Sequence, residues 1–228
     1  MKWGTVAEWL VAVGTLVLAA VAVFQDTIRA WFYRPKFDVS AKTAPPDCVA
    51  VPLATPNGVV VANTIYLRIW VENTGTATAR NVEVYAAELR RRRADQGWER
   101  VQAFPPMNLK WANLVGGIYF PSISPGMGKH CDVAHIVDPP RRAAVGEENP
   151  RLGIAVDATS LAFDLMVAPN HKGHIVGPGE YELDILVAAE NATPVRCTVQ
   201  IALRGQWYPD EERMLRDGVG ISVTGGTP

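Results

Sequence analysis

The apolar positions of this chain fall into two regimes, a continuous run near the N-terminus and a period of two beyond it. From Trp9 to Phe24 every residue is apolar or small. Extended back to Val6 across Glu8, the run has about the ~20 residues that a helix needs to cross a hydrocarbon core. Its large members, Trp9, Leu10, Val13, Leu16, Leu18, Val21 and Phe24, are expected to face lipid. Thr5 and Glu8 have the Thr-x-x-Glu spacing of a capping box, which places the helix start there. Pro35 disfavours a helical residue before it and gives the stop.

Between Gln25 and Arg34 the helix is expected to leave lipid. Asp26 and Arg29 are polar, and Trp31, Phe32 and Tyr33 form an aromatic girdle of the kind that sits at headgroup level. Arg29, Trp31, Phe32, Tyr33, Arg34 and Lys36 are therefore read as interface anchors. Their positive charge outweighs Lys2 and the terminal amine, so the positive-inside bias predicts an inner-membrane protein with its N-terminus outside and the remainder in the cytoplasm. A cleaved signal peptide ending at Ala20-Val21-Ala22 is the rival reading. Against it stand the lone Lys2 and the Glu8 of its n-region, and the aromatic-basic flank that would follow. Ala12, Thr15, Ala19 and Ala22 share one face, and small residues of this kind let helices approach closely in lipid. The stripe is either a homo-oligomer seam or a by-product of an Ala-rich composition.

Past Pro35 the pattern is that of strands. Phe37 and Val39 open the first. From Thr64 to Val71, residues Ile65, Leu67, Ile69 and Val71 face one way and Tyr66, Arg68 and Trp70 the other. Asn73-Thr74-Gly75 signals a turn, after which Val82 and Val84 resume the alternation. Tyr181 to Val187 and Val195 to Leu203 form the clearest hairpin. Gly153 to Asp157 and Leu161 to Val167 are expected to be core strands, and Val219, Ile221 and Val223 an edge strand. A short helix is expected with Pro209 at its first position and Gly218 as its stop. The predicted fold class is all-β, an antiparallel β-sandwich over residues 36–228 behind a transmembrane segment over residues 1–35.

Composition narrows the classes of function. A net charge of -1 gives no field to recruit nucleic acid. Arg in place of Lys and abundant Ala fit a GC-rich bacterial coding sequence. Cys48, Cys131 and Cys197 are odd in number and widely spaced, which favours buried reduced thiols over a disulfide framework.

Val71-Glu72-Asn73-Thr74-Gly75, followed by Ala79-Arg80-Asn81-Val82-Glu83-Val84, resembles the V-x-N-x-G … A-x-N-V-x-V hairpin of bacterial immunoglobulin-like, adhesion-type domains. Pro178-Gly179-Glu180-Tyr181 is similar to the Pro-Gly-x-Tyr that opens a late strand in those sandwiches. The resemblance implies an immunoglobulin-like fold and a binding or spacing module, and carries no activity with it. Most such domains are extracellular, whereas the charge bias here points inward.

Chemistry-bearing residues are sparse. The four histidines form two pairs, His130/His135 and His171/His174. Residues 129–136 read as a strand on which Cys131 and His135 share a face roughly 13 Å apart, too far to grip one ion. His171 and His174 read as solvated loop residues, and Asp157, Asp164 and Asp184 as surface residues of strands. Arg90, Arg91, Arg92 and Arg93 are the one basic run, read as a headgroup contact or as a solvated strand end. There is no Gly-x-Ser-x-Gly elbow, paired acidic motif or phosphate loop. No metal, cofactor or nucleic acid is expected. The expected function is a non-enzymatic, single-pass module that holds an unknown protein partner at the bilayer. The alternative is a membrane effector of a bacterial stress or anti-phage defence pathway, its sandwich sensing a signal and its helices oligomerising.

Overall fold

The computed structural model describes residues 5–114 and 116–225, and only the backbone of residues 26–32. The chain divides into two units, Met1–Arg34 and Pro35–Pro228. The first unit is the helix α1 (Val6–Phe32), which runs further toward Pro35 than the apolar stretch itself. Its start shows one half of the expected box: the Thr5 amide donates to Glu8 Oε2 at 2.7 Å, while the Glu8 amide donates to the Thr5 backbone carbonyl at 2.9 Å. Val6–Gln25, 20 residues, is long and apolar enough to cross a membrane, and every side chain in it is exposed.

The second unit is built from strands. β1 (Phe37–Ser40), β2 (Cys48–Ala54) and β3 (Val60–Asn73) open it. β4 (Ala79–Arg92), β5 (Trp98–Arg100), β6 (Met107–Asn108), β7 (Lys110–Trp111), β8 (Phe120–Ile123) and β9 (Gly128–Val137) follow. β10 (Leu161–Phe163), β11 (Ile175–Val176), β12 (Gly179–Ala189), β13 (Ala192–Leu203) and β14 (Val219–Thr224) complete it. They form two antiparallel sheets. One has the order β1-β3-β9-β10-β11, with β2 also on β3 and β7 also on β9. The other has the order β14-β13-β12-β4-β5, with β6 and β8 also on β4.

Both sheets contribute to one apolar core. Ile65, Leu67, Ile69 and Val71 from the first meet Val84, Leu183, Ile185 and Val199 from the second in one cluster of buried side chains. The expected alternation in β3 holds, with Tyr66, Arg68 and Trp70 on the opposite, outer face. The expected hairpin is β12–β13, paired from Gly179↔Leu203 to Ala189↔Ala192, and β14 is an edge strand. Cys48, Cys131 and Cys197 are free and buried. Burial pushes the Cys48 and Cys197 thiols up to about 12, and raises Cys131 as well.

The connection after β3 is organised by one buried side chain. Asn73 Nδ2 donates to the carbonyls of Ala77 and Ile123, both at 2.8 Å, while its Oδ1 accepts from the Gly75 amide at 3.0 Å and the Lys36 amide at 3.3 Å. All the bonding capacity of the carboxamide is used, which no other residue type reproduces at that position. Asn81 lies in the left-handed region at φ 49, a conformation Asn tolerates, and its side chain donates to Glu190.

Three strand and helix expectations are corrected. Gly153 to Asp157 is not a strand: a 3-10 turn over Pro150–Leu152, capped by Asn149, leads into Gly153 at φ 57, and exposed loop follows. The segment Leu161 to Val167 is strand only to Phe163, after which Leu165 makes a single bridge to Leu109 and Val167 is exposed. Near the C-terminus, Glu211 and not Pro209 is the first residue of the helix α2 (Glu211–Arg213), because Asp210 caps it, its carboxylate accepting from the Arg213 amide at 2.8 Å. A π-type turn over Met214–Gly218 then ends at the expected glycine.

Candidate functional site

The outer face of the first sheet carries a polar centre that the strand pattern alone does not reveal. In β9, Ala134 pairs with Leu67 but Asp132 pairs with Arg68, so Val133 is an extra residue, a β-bulge. The bulge reverses the parity of the strand. Cys131 stays opposite Ile69 on the core face, whereas His135 comes opposite Tyr66 on the outer face. The expectation that Cys131 and His135 share a face is therefore wrong, and the two diverge through the sheet.

His135 is held between two carboxylates. Its Nδ1 lies 3.0 Å from Asp164 Oδ2 and its Nε2 lies 2.6 Å from Glu147 Oε1. Asp164 follows β10 directly, so the strand pairing sets its place, and it is only 5% exposed. The reading of Asp164 as a surface residue is corrected by this burial. Glu147 arrives from outside the sheet, on a long excursion over residues 138–160 between β9 and β10. Burial by itself would lower the basicity of His135. The charge of Asp164 and the hydrogen bonds to both carboxylates outweigh it and push the pKa up to about 10. His135 is thus an imidazolium with both N–H groups donated, and no ring nitrogen is left to act as a base or ligand.

The surroundings extend the centre. The Tyr66 ring stacks on His135 at 5.2 Å between centroids, and the Arg68 guanidinium lies 5.3 Å above the same Tyr66 ring. Burial, then the charge of Asp164, pushes the Tyr66 phenol up to about 12. Arg68 Nε donates to Asp132 Oδ1 at 2.7 Å, while burial raises the Asp132 pKa. Further along, His130 Nε2 lies 3.0 Å from Asp47 Oδ1, and Trp70 packs against His130. The Trp70 ring lies on Gly128, where a Cβ would collide with it, so that position requires glycine.

His174 departs from its expected role. It is 6% exposed, its Nδ1 is buried with no hydrogen-bond partner among the described residues, and burial followed by the charge of Lys172 lowers its pKa. His171 is exposed and accepts from the Gly173 amide. Asp157 sits in exposed loop, and Asp184 accepts from Arg90 and Thr198. Among the described residues no group of three His, Cys, Asp or Glu side chains converges as a metal site. In the His135 centre the two carboxylates address different ring nitrogens and point apart. A surface depression of about 410 Å³ between Thr43–Pro45 and Glu211–Leu215 touches none of these groups.

The other expected site residues lie elsewhere. Ala12, Thr15, Ala19 and Ala22 are exposed on α1, as are Trp9, Leu10, Val13, Leu16, Leu18, Val21 and Phe24, and Thr15 Oγ1 donates to the Val11 carbonyl at 2.9 Å. Tyr33, Arg34 and Lys36 are exposed, while the side chains of Arg29, Trp31 and Phe32 lie outside the described residues. The basic run is met within its own domain. Arg90 reaches Asp184 at 2.7 Å and Glu182 at 3.3 Å, Arg92 reaches Glu180 at 3.1 Å, and Arg93 reaches Asp95 at 2.9 Å. Arg91 donates to the Pro178 carbonyl at 2.9 Å.

Compared with known proteins, the chain matches no family model and no curated protein.

Proposed function

We propose that this protein is a non-enzymatic, membrane-tethered interaction module: α1 spans the inner membrane with the N-terminus outside, and an immunoglobulin-like sandwich holds a protein partner on the cytoplasmic side. The observation that carries this reading is the 20-residue span Val6–Gln25, whose apolar side chains are all exposed. In water such a surface has no favourable solvent, and a hydrocarbon core is the environment that matches its length. The free buried thiols favour a reducing compartment. The sandwich reading draws on Asn73 at its turn and on Tyr181, whose hydroxyl donates to the Gly177 carbonyl at 2.7 Å. That contact has the pattern of a tyrosine corner, in which a strand-opening Tyr bonds backbone a few residues upstream. A non-enzymatic role fits a centre whose histidine has both nitrogens occupied.

The test is a pair of reporters fused at Pro228, one active only in the cytoplasm and one only outside it, together with the intact mass of the mature chain. Cytoplasmic activity and an uncleaved N-terminus are expected. Activity of the external reporter would reverse the orientation, and a mature chain beginning after Ala22 would replace the anchor with a signal peptide.

A further inference from the structure

We infer, on the membrane-spanning reading of α1, that the end of the sandwich that receives the chain from α1 is a lipid contact: its uncharged turns rest in the headgroup layer and hold the domain against the bilayer. β1 pairs with β3 from Phe37↔Asn73, so the first strand starts where β3 ends. Three connections gather there. Residues 74–78 join β3 to β4. Residues 124–127 join β8 to β9 and close on β3, the Asn73 amide donating to the Met127 carbonyl at 2.9 Å and the Gly126 amide to the Asn73 carbonyl at 2.8 Å. Residues 112–119 cross between the sheets. They leave β7 with the Ala112 amide on the His130 carbonyl, near the start of β9, and re-enter with Phe120 opposite Val82, near the start of β4.

The sequence keeps charge out of this end. From Thr74 to Ala79 and from Trp111 to Gly128 there is no Asp, Glu, Lys or Arg. At the chain's 20% average those two stretches would carry about five. Loops at the opposite end of the strands differ: 93–97 holds Arg93 and Asp95, and 138–160 holds Asp138 and Arg141 among others. The uncharged end offers the exposed apolar side chains of Ile118, Tyr119 and Met127 together with the hydroxyls of Thr74, Thr78 and Ser124. Such a mixture suits the headgroup layer better than it suits water or hydrocarbon. The flanking charges, Lys36, Arg80 and Lys129 against Asp38, Glu72 and Glu190, cancel, so no net field recruits a charged partner. Proximity selects lipid over a protein. Pro35 is buried, and Lys36 is bonded to the turn, its amide donating to Asn73 Oδ1 at 3.3 Å and its carbonyl accepting from the Thr74 amide at 2.8 Å. Only Tyr33 and Arg34 separate Pro35 from the last residue of α1, a reach of at most about 11 Å. From Gln25, where the apolar span ends, α1 rises about 10 Å to Phe32, little more than the depth of one headgroup layer. A domain end tethered so closely meets headgroups at a far higher effective concentration than any diffusing partner.

The experiment places one fluorophore at a time on the full chain in phosphatidylcholine nanodiscs that carry some lipid with a headgroup nitroxide. Met127→Cys and Ile118→Cys report on the uncharged end, and both positions are exposed. Asn57→Cys is the control, in the turn at the far end of β3 and roughly 40 Å from Asn73. Cys48, Cys131 and Cys197 are buried, so the label goes to the new thiol. Leu16→Cys, read with an acyl-chain nitroxide, reports on α1 itself. Headgroup nitroxide should quench the labels at 127 and 118 at least about threefold more than the label at 57, as expected of side chains lodged at the interface. High salt should leave that ratio unchanged, because the end carries no charge. Equal quenching at 127 and 57, or quenching that high salt abolishes, would overturn the proposal while a quenched Leu16 label leaves the span in place. A Leu16 label that acyl-chain nitroxide does not reach would overturn both.

Discussion

The outer faces of the two sheets use the same kinds of charged residue in opposite ways. On the second sheet, Arg92 and Glu180 pair with side chains 40% and 50% exposed. On the first, His135 and Asp164 pair at 10% and 6%. The exposed pair sits in a high-dielectric, salt-screened setting, where attraction barely exceeds the entropy of fixing two long side chains. The covered pair has lost its hydration, so each charge depends on its partners, and removing Asp164 leaves His135 with Glu147 alone. The difference lies in what covers the face. The 138–160 excursion lies over the first sheet and brings Glu147 with it, whereas Arg90 and Arg92 have only their neighbours on the sheet.

The largest expected effect is at the covered face. Asp164→Ala should cost about 3–5 kcal/mol, which is roughly 6–20 °C in melting temperature for a domain of this size. Reversible chemical denaturation of the detergent-solubilised protein measures it. A loss under about 1 kcal/mol would place the two faces in one electrostatic regime.

pH sharpens the comparison next. The folded-state pKa of His135 is raised from 6.5 to about 10. Its contribution is therefore fully present below pH 6.5 and is lost as the pH climbs through about 10. In that window the melting temperature should fall, with a slope from this group no steeper than about 1.4 kcal/mol per pH unit. His135→Gln should flatten the profile there, and a wild-type profile already flat would contradict the raised pKa. Below pH 6.5 the lowered pKa of His174 acts with the opposite sign.

The smallest effect belongs to the exposed ladder. Arg92→Ala should change stability by less than about 0.5 kcal/mol, and added salt should erase even that. A salt-insensitive loss above 1 kcal/mol would mean that its packing over the Trp98 ring, at 5.7 Å, matters more than its charge.

Much of the framework was legible from pattern. The helix start at Thr5 with the Glu8 carboxylate on its amide, the alternation of β3, the β12–β13 hairpin and the edge strand β14 each follow from local rules of spacing and side-chain type. Asn73 was legible as a turn residue, though its four bonds to distant backbone were not. The polar centre was hidden for two reasons. Nothing in Lys-His-Cys-Asp-Val-Ala-His marks Val133 as a bulge, since its place is set by the register against Leu67 and Arg68. Asp164 follows an apolar run as a surface aspartate would, yet it is 5% exposed and bonded to His135 of the neighbouring strand.

The sequence by itself determined where the N-terminal helix is apolar, where β3, β12 and β13 alternate, and which face of those strands turns inward, because those properties depend on neighbours within a few residues. Only the tertiary structure decided which charges lose water. Desolvation depends on what is laid over a side chain from far along the chain, and one extra residue at Val133 was enough to turn His135 out of the core and into that covered pair.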